Sequence, residues 1–107
     1  MRRGDLVTVS LQGDFGKPRP ALVIQLDQFS NTASITVLPL SSARVDAPLI
    51  RVDVEPTPEN GLRRPSQVMV DKAMTLKRDK VNASFGRLED EVMVSVNRLL
   101  ALFLGCA

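Results

Sequence analysis

The 107-residue chain changes its hydrophobic period once, near Glu89, and that change restricts the folds open to it. From Glu89 onward, apolar residues recur at Val92, Val96, Leu99, Leu100, Phe103 and Leu104, the spacing of one face of an α-helix about four turns long. Glu89, Asp90 and Glu91 stand at its start, where carboxylates complement exposed N–H groups, and Gly105 stands where a stop is expected. Everything before Glu89 has the character of strands. Strands first and one helix last argue for a mainly β fold and against a parallel βαβ protein. The expected architecture is a small antiparallel barrel with the terminal helix packed on it.

The strands can be placed individually. Residues 5–11 alternate Val7, Val9 and Leu11 with Thr8 and Ser10, as a half-buried strand does. The run Ala21-Leu22-Val23-Ile24 begins a continuously apolar strand over 21–26, expected to be central and covered on both faces. Further strands are expected over 34–40, 49–55 and 66–72, with a short one at Thr75-Leu76-Lys77. Pro39 cannot donate to a ladder, so it belongs at a bulge, a strand end or an edge. Residues 56–65, rich in Pro, Gly and charge, form the main surface loop. A single domain over 1–107 is expected, since this length buries one core but not two.

What the chain lacks narrows its chemistry. It has no histidine and one cysteine, Cys106, which excludes Cys/His zinc sites, Ser-His-Asp triads and Cys-His dyads. No glycine-rich phosphate loop precedes a helix. A catalyst built from this composition works with Arg, Lys, Asp, Glu, Ser and Thr, and no metal or organic cofactor is expected. With no Trp, no Tyr and four Phe, base stacking is expected to be a minor part of any nucleic-acid binding. The formal charge of +2 is a weak argument for a polyanionic partner, but Arg2, Arg3, Lys17 and Arg19 near the start, the adjacent Arg63 and Arg64, and Lys72, Lys77, Arg78 and Lys80 later on would make a phosphate-binding face if the fold gathered them. No signal-peptide pattern is evident, and the longest apolar stretch, 99–104, is far below the ~20 residues of a membrane span. A soluble cytoplasmic protein with no membrane association is expected.

One loop stands out. In Lys17-Pro18-Arg19-Pro20 the two rings fix their own φ and keep the preceding residues out of the helical region, so Arg19 is held extended at the mouth of an apolar strand.

Arg3-Gly4-Asp5-Leu6-Val7, then Gly16-x-x-Arg19-Pro20-Ala21-Leu22-Val23-Ile24, resembles the MazF/PemK family of toxin endoribonucleases. The ending Val37-Leu38-Pro39-Leu40-Ser41-Ser42 is similar to that family's aliphatic-Pro-x-Ser/Thr-Ser/Thr segment, and Phe85-Gly86-Arg87-Leu88 looks like its lead-in to the last helix. The resemblance runs through the chain in order. It implies an SH3-like homodimer that cleaves single-stranded RNA without a metal and is silenced by a cognate antitoxin protein. It also implies that Arg19 and Ser41 are catalytic. The family's first-loop Glu has no counterpart here, and Asp14 is the nearby carboxylate offered in its place. Lys17, Ser42, Arg44, Arg63 and Arg64 are assigned to RNA binding. Asp71 joins them as the match to the aspartate of a later Arg-x-Asp pair, whose arginine position holds Met69. The alternatives are a DNA-gyrase poison similar to CcdB, which Val37 to Arg44 and Leu102 to Gly105 resemble, and a non-catalytic SH3-like interaction domain. The gyrase-engaging end of CcdB carries Trp-Gly, whereas this chain has Leu104-Gly105, and Arg19-Pro20 has no counterpart there.

Overall fold

A computed structural model describes residues 1–10 and 17–106. Leu11 and Asp14 lie outside the described residues. Seven strands are described: β1 (Asp5–Ser10), β2 (Pro18–Val23), β3 (Ser34–Ser41), β4 (Arg51–Val54), β5 (Ser66–Met69), β6 (Met74–Lys77) and β7 (Gly86–Arg87). One helix, α1 (Asp90–Leu104), follows them. The strands lie in the order β4-β5-β3-β2-β1-β7, with β6 also on β3, and every pair is antiparallel. The sheet is a half-barrel with the helix against it, as the change of period predicts. No helix among the described residues is long and apolar enough to cross a membrane.

The three central strands are apolar on both faces because both faces are covered. Leu6, Leu22 and Leu38 stand in register across β1, β2 and β3 and face the larger core cluster, where Val52, Val54, Val68, Leu88 and Val96 join them. Their alternate neighbours Val7, Val9, Ala21, Val23, Ile35 and Val37 face a second cluster, which Met74, Leu76 and Val81 cover. Period-two alternation therefore sorts the residues between two cores rather than between core and water.

Pro39 is accommodated by a change of partners. On one edge β3 pairs with β2 through Val37, Leu38 and Pro39. On the other it pairs with β6 up to Val37 and with β5 from Leu40. Pro39 falls in the gap between β6 and β5, where the missing N–H breaks no ladder.

Several boundaries differ from expectation, and one strand is unexpected. β2 spans 18–23 rather than 21–26, so Arg19 is inside the strand. Proline φ suits an extended backbone, and over 18–20 the recorded partner is β1 alone, so the rings meet no second ladder. β4 begins at Arg51 rather than Leu49, because Ile50 N–H turns back to the Ala47 carbonyl at 3.1 Å. The expected strand 66–72 ends at Met69 and passes into a 3₁₀ turn, Val70–Lys72, with Val70 buried. β7, two residues long, is too short to leave a periodic signal.

Helix α1 begins after Glu89 and ends in a Schellman motif. Gly105 takes φ +76°, with Gly105 N–H donating to the Leu102 carbonyl and Cys106 N–H to that of Ala101. The apolar stripe packs on the sheet through Val92, Val96, Leu99 and Leu100. Its end does not. Phe103 and Leu104 remain half or more exposed, because the stripe outruns the sheet.

Gly86 is the tightest of the described glycines: a Cβ there would lie 2.2 Å from the Asn60 carbonyl oxygen. Backbone cannot yield as a flexible side chain does, so Gly86→Ala should cost about 3 kcal/mol, the upper end of overpacking penalties. Urea unfolding monitored by circular dichroism would show the midpoint fall.

Candidate functional site

The register of β2 and β3 brings the predicted catalytic pair to one place. Ala21 stands opposite Pro39, so the same antiparallel count carried two residues further sets Arg19 opposite Ser41. The ladder stops before reaching them. From Leu40, β3 bonds to β5 instead, while β2 continues along β1, with Arg19 opposite Val9. The strands part, and a groove of about 1010 Å³ opens between them.

Its lining is one-signed. Lys17, Arg19, Arg63, Arg64 and Lys72 all line it, together with Thr8, Ser41 and Ser42, and no carboxylate is among the described lining residues. A second concavity of about 850 Å³ lies beside the start of α1, lined by Asp5, Glu59, Glu89, Asp90 and Glu91 with Arg2 and Arg87. The two volumes are similar, so charge separates them. Only the first suits a polyanion.

The hydroxyl of Ser41 sits in a tight turn, accepting from Ala43 N–H at 3.1 Å and donating to the Ala43 carbonyl at 3.3 Å. The incoming bond fixes the oxygen, while the long outgoing one leaves a proton that can turn toward a phosphate oxygen. The loop after Ser42 is tied to β5 by buried Gln67. Its amide bonds both the N–H and the carbonyl of Val45, at 3.0 and 2.9 Å, and also reaches Asp53.

The Arg63-Arg64 loop is held by a second polar cluster. Asn60 is fully buried, and its amide donates to the Glu55 carbonyl and the Glu89 carboxylate at 2.9 and 2.8 Å. Its oxygen accepts from the N–H groups of Thr57 and Leu62, both at 3.0 Å. The Thr57 hydroxyl also donates to Glu89, at 2.8 Å. The loop is thereby clipped to the residue that precedes α1.

Asp14 lies outside the described residues. Arg44 and Asp71 do not line the groove. Arg44 makes an exposed 3.9 Å pair with Glu55. Asp71 is held by Arg51 in an ion pair that fixes the 3₁₀ turn, and its other oxygen lies 3.9 Å from Lys72, which lines the groove. Sequence reasoning missed Gln67, Asn60 and Glu89 as supports, since a lone amide or carboxylate carries no periodic or motif signal. It named Lys72 only among the scattered cations and Phe85 only within the lead-in to the last helix, and gave neither a place at the groove.

The PemK-like, MazF-like toxin family of type II toxin–antitoxin systems matches residues 2–104. The chain belongs to that family. A relative from Mycolicibacterium smegmatis named probable endoribonuclease MazF is 47% identical over 100% of this chain and 99% of its own. Among solved structures, a mycobacterial endoribonuclease in complex with its cognate antitoxin has the same fold, with a TM-score of 0.82 and 23% identity over 100% of this chain and 97% of that one. The Mycobacterium tuberculosis toxin MazF-mt6 also superposes at 0.82, with 19% identity over 96% and 98% of the two chains. A MazE–MazF structure from Deinococcus radiodurans gives 0.78, with 22% identity over 100% and 98%.

Removing the Asn60 side chain would orphan two backbone N–H groups, each unmet group costing about 1–3 kcal/mol, and leave the Glu89 carboxylate with the Thr57 hydroxyl as its remaining donor in this cluster. Asn60→Ala should therefore lose at least about 2 kcal/mol in urea unfolding. Glu89→Gln, which keeps an acceptor oxygen, should lose less.

Proposed function

We propose that this PemK/MazF-family chain is a toxin endoribonuclease that cleaves single-stranded RNA by attack of a ribose 2′-hydroxyl on the adjacent phosphorus. The observation that carries the proposal is the groove itself: five cations and the Ser41 hydroxyl, with no carboxylate among its described lining residues. In the reaction the 2′-oxygen bonds to phosphorus and the bond to the 5′-oxygen breaks. The hydroxyl proton passes, in net, to the leaving 5′-oxygen, so the products are a 2′,3′-cyclic phosphate and a free 5′-hydroxyl. No further reactant is consumed.

Arg19 presents a guanidinium that can donate to two phosphate oxygens as charge builds on them, and Ser41 donates to a third. Asp14 takes the role of accepting the 2′ proton. Lys17, Ser42, Arg63 and Arg64 hold the flanking phosphates and keep the attacking oxygen in line. Charge neutralisation comes from the groove's own cations, so no metal is required. The full toxin is a homodimer, and a cognate antitoxin protein silences it. Antitoxin complexes among the structural neighbours support the latter partner. The half-exposed end of α1, at Leu102, Phe103 and Leu104, offers apolar surface for the dimer contact. Family membership and the cationic groove favour RNA cleavage over gyrase poisoning or passive binding.

Purified protein should cut single-stranded RNA equally well with and without EDTA, leaving 2′,3′-cyclic ends detectable by mass spectrometry. Arg19→Ala should lower kcat by about 10²–10³ with the melting temperature unchanged. Full activity in that variant would refute the role of Arg19. Loss of cutting in EDTA would refute metal independence.

A further inference from the structure

We propose that Phe85 is a stacking platform for one unpaired base of the bound RNA. The inference rests on the RNA-cleaving function above and names a further contact of the same groove. Phe85 is the aromatic side chain among the described groove residues, and it is 38% exposed. Phe29 and Phe103 are also exposed but do not line the groove.

The ring is held in place before any ligand arrives. Phe85 N–H donates to the Leu6 carbonyl of β1 at 2.9 Å, and the next residue, Gly86, is wedged against the Asn60 carbonyl. On the other side lies Gly61, at φ +68°. A Cβ at Gly61 would come within 2.8 Å of the Phe85 carbonyl and 3.1 Å of its ring carbon Cδ1. The glycine is required twice there, by its backbone conformation and by the close approach of the phenylalanine. Two and three residues beyond Gly61 come Arg63 and Arg64, which also line the groove.

The loop that approaches Phe85 at Gly61 thus also carries Arg63 and Arg64 to the groove that Phe85 lines. Cations that track a phosphate backbone, next to a ring that can take a base face, are the combination by which single strands are bound. A duplex keeps its bases stacked on one another and cannot use the ring. The composition, poor in aromatics, permits little stacking overall, and among the described residues the groove offers it at this position. Phe85 is a binding and specificity-determining residue, and Gly61 a positioning residue that acts through it.

The chain has no tryptophan, so Phe85→Trp places the sole indole of the protein at the proposed contact. Its fluorescence should be quenched by a single-stranded 2′-O-methyl RNA oligonucleotide, which lacks the attacking hydroxyl. An abasic strand with the same backbone, or a duplex of the same sequence, should quench it little. In parallel, Phe85→Ala should weaken binding of the base-bearing strand about tenfold, the lower-middle of the range for loss of one stacked base. Its affinity for the abasic strand should match that of the unsubstituted protein. Equal quenching by base-bearing and abasic strands would overturn the proposal, as would unchanged affinity in a folded Phe85→Ala. If Phe85→Ala does not fold, the tryptophan variant alone decides. Failure of the unsubstituted protein to bind or cut RNA at all would instead overturn the function on which the proposal rests.

Discussion

Along β3 the hydrogen-bonded neighbour on one edge ends at Val37, the neighbour on the other edge ends at Pro39, and β5 takes over from Leu40. This exchange depends on a proline, which tolerates the extended backbone but asks for no donor bond in the gap. On the β2 edge the next residue in register, opposite Leu40, is Pro20, which has no N–H to donate, and the strands part at the point where Arg19 and Ser41 would face each other. The groove is the space left by a ladder that stops two residues early.

What keeps the groove in shape is polar and lies behind it. Gln67 pins the loop after Ser42 to β5, and Asn60 with Glu89 pins the Arg63-Arg64 loop to the start of α1. Asn60 is fully buried, and among the described residues no buried side-chain polar atom lacks a partner. Satisfied networks of this kind give a single geometry, since any other arrangement strands a desolvated group. Cations that must remain close despite mutual repulsion need such a frame. The charge pairs elsewhere serve the same end: Arg51 with Asp71 fixes the turn that carries Lys72, and Arg87 with Asp5 joins β7 to β1 at 2.6 Å.

Much of the fold is legible in the pattern of residues along the chain. The alternations over 5–11 and 34–40, the apolar run from Ala21 and the helical spacing from Val92 each correspond to a described element, because hydrophobic period reports directly on which faces are covered. Where the pattern misleads, something distant overrules it. Val70, Asp71 and Lys72 look like a strand end, but Arg51, twenty residues away, captures Asp71 and the backbone turns. Phe103 and Leu104 continue the helical stripe, yet the sheet beneath them has ended. Prolines 18 and 20 read as a loop, although the strand begins with them.

The sequence by itself determined the class of fold, the position of its helix, the exclusion of histidine-dependent triads, dyads and zinc sites, and the stiff presentation of Arg19. These depend on composition and on spacings within one segment. Only the tertiary structure decided that Arg19 and Ser41 share a cleft, and that Lys72 and Phe85 belong to that cleft while Asp71 and Arg44 do not. Cross-strand register and loop anchoring relate residues twenty to eighty positions apart, and no periodicity along the chain encodes which of them will meet. The Gly86–Asn60 approach, the Asn60–Glu89 bonds and the change of partners at Pro39 supply that information, and each exists only once the sheet has curled.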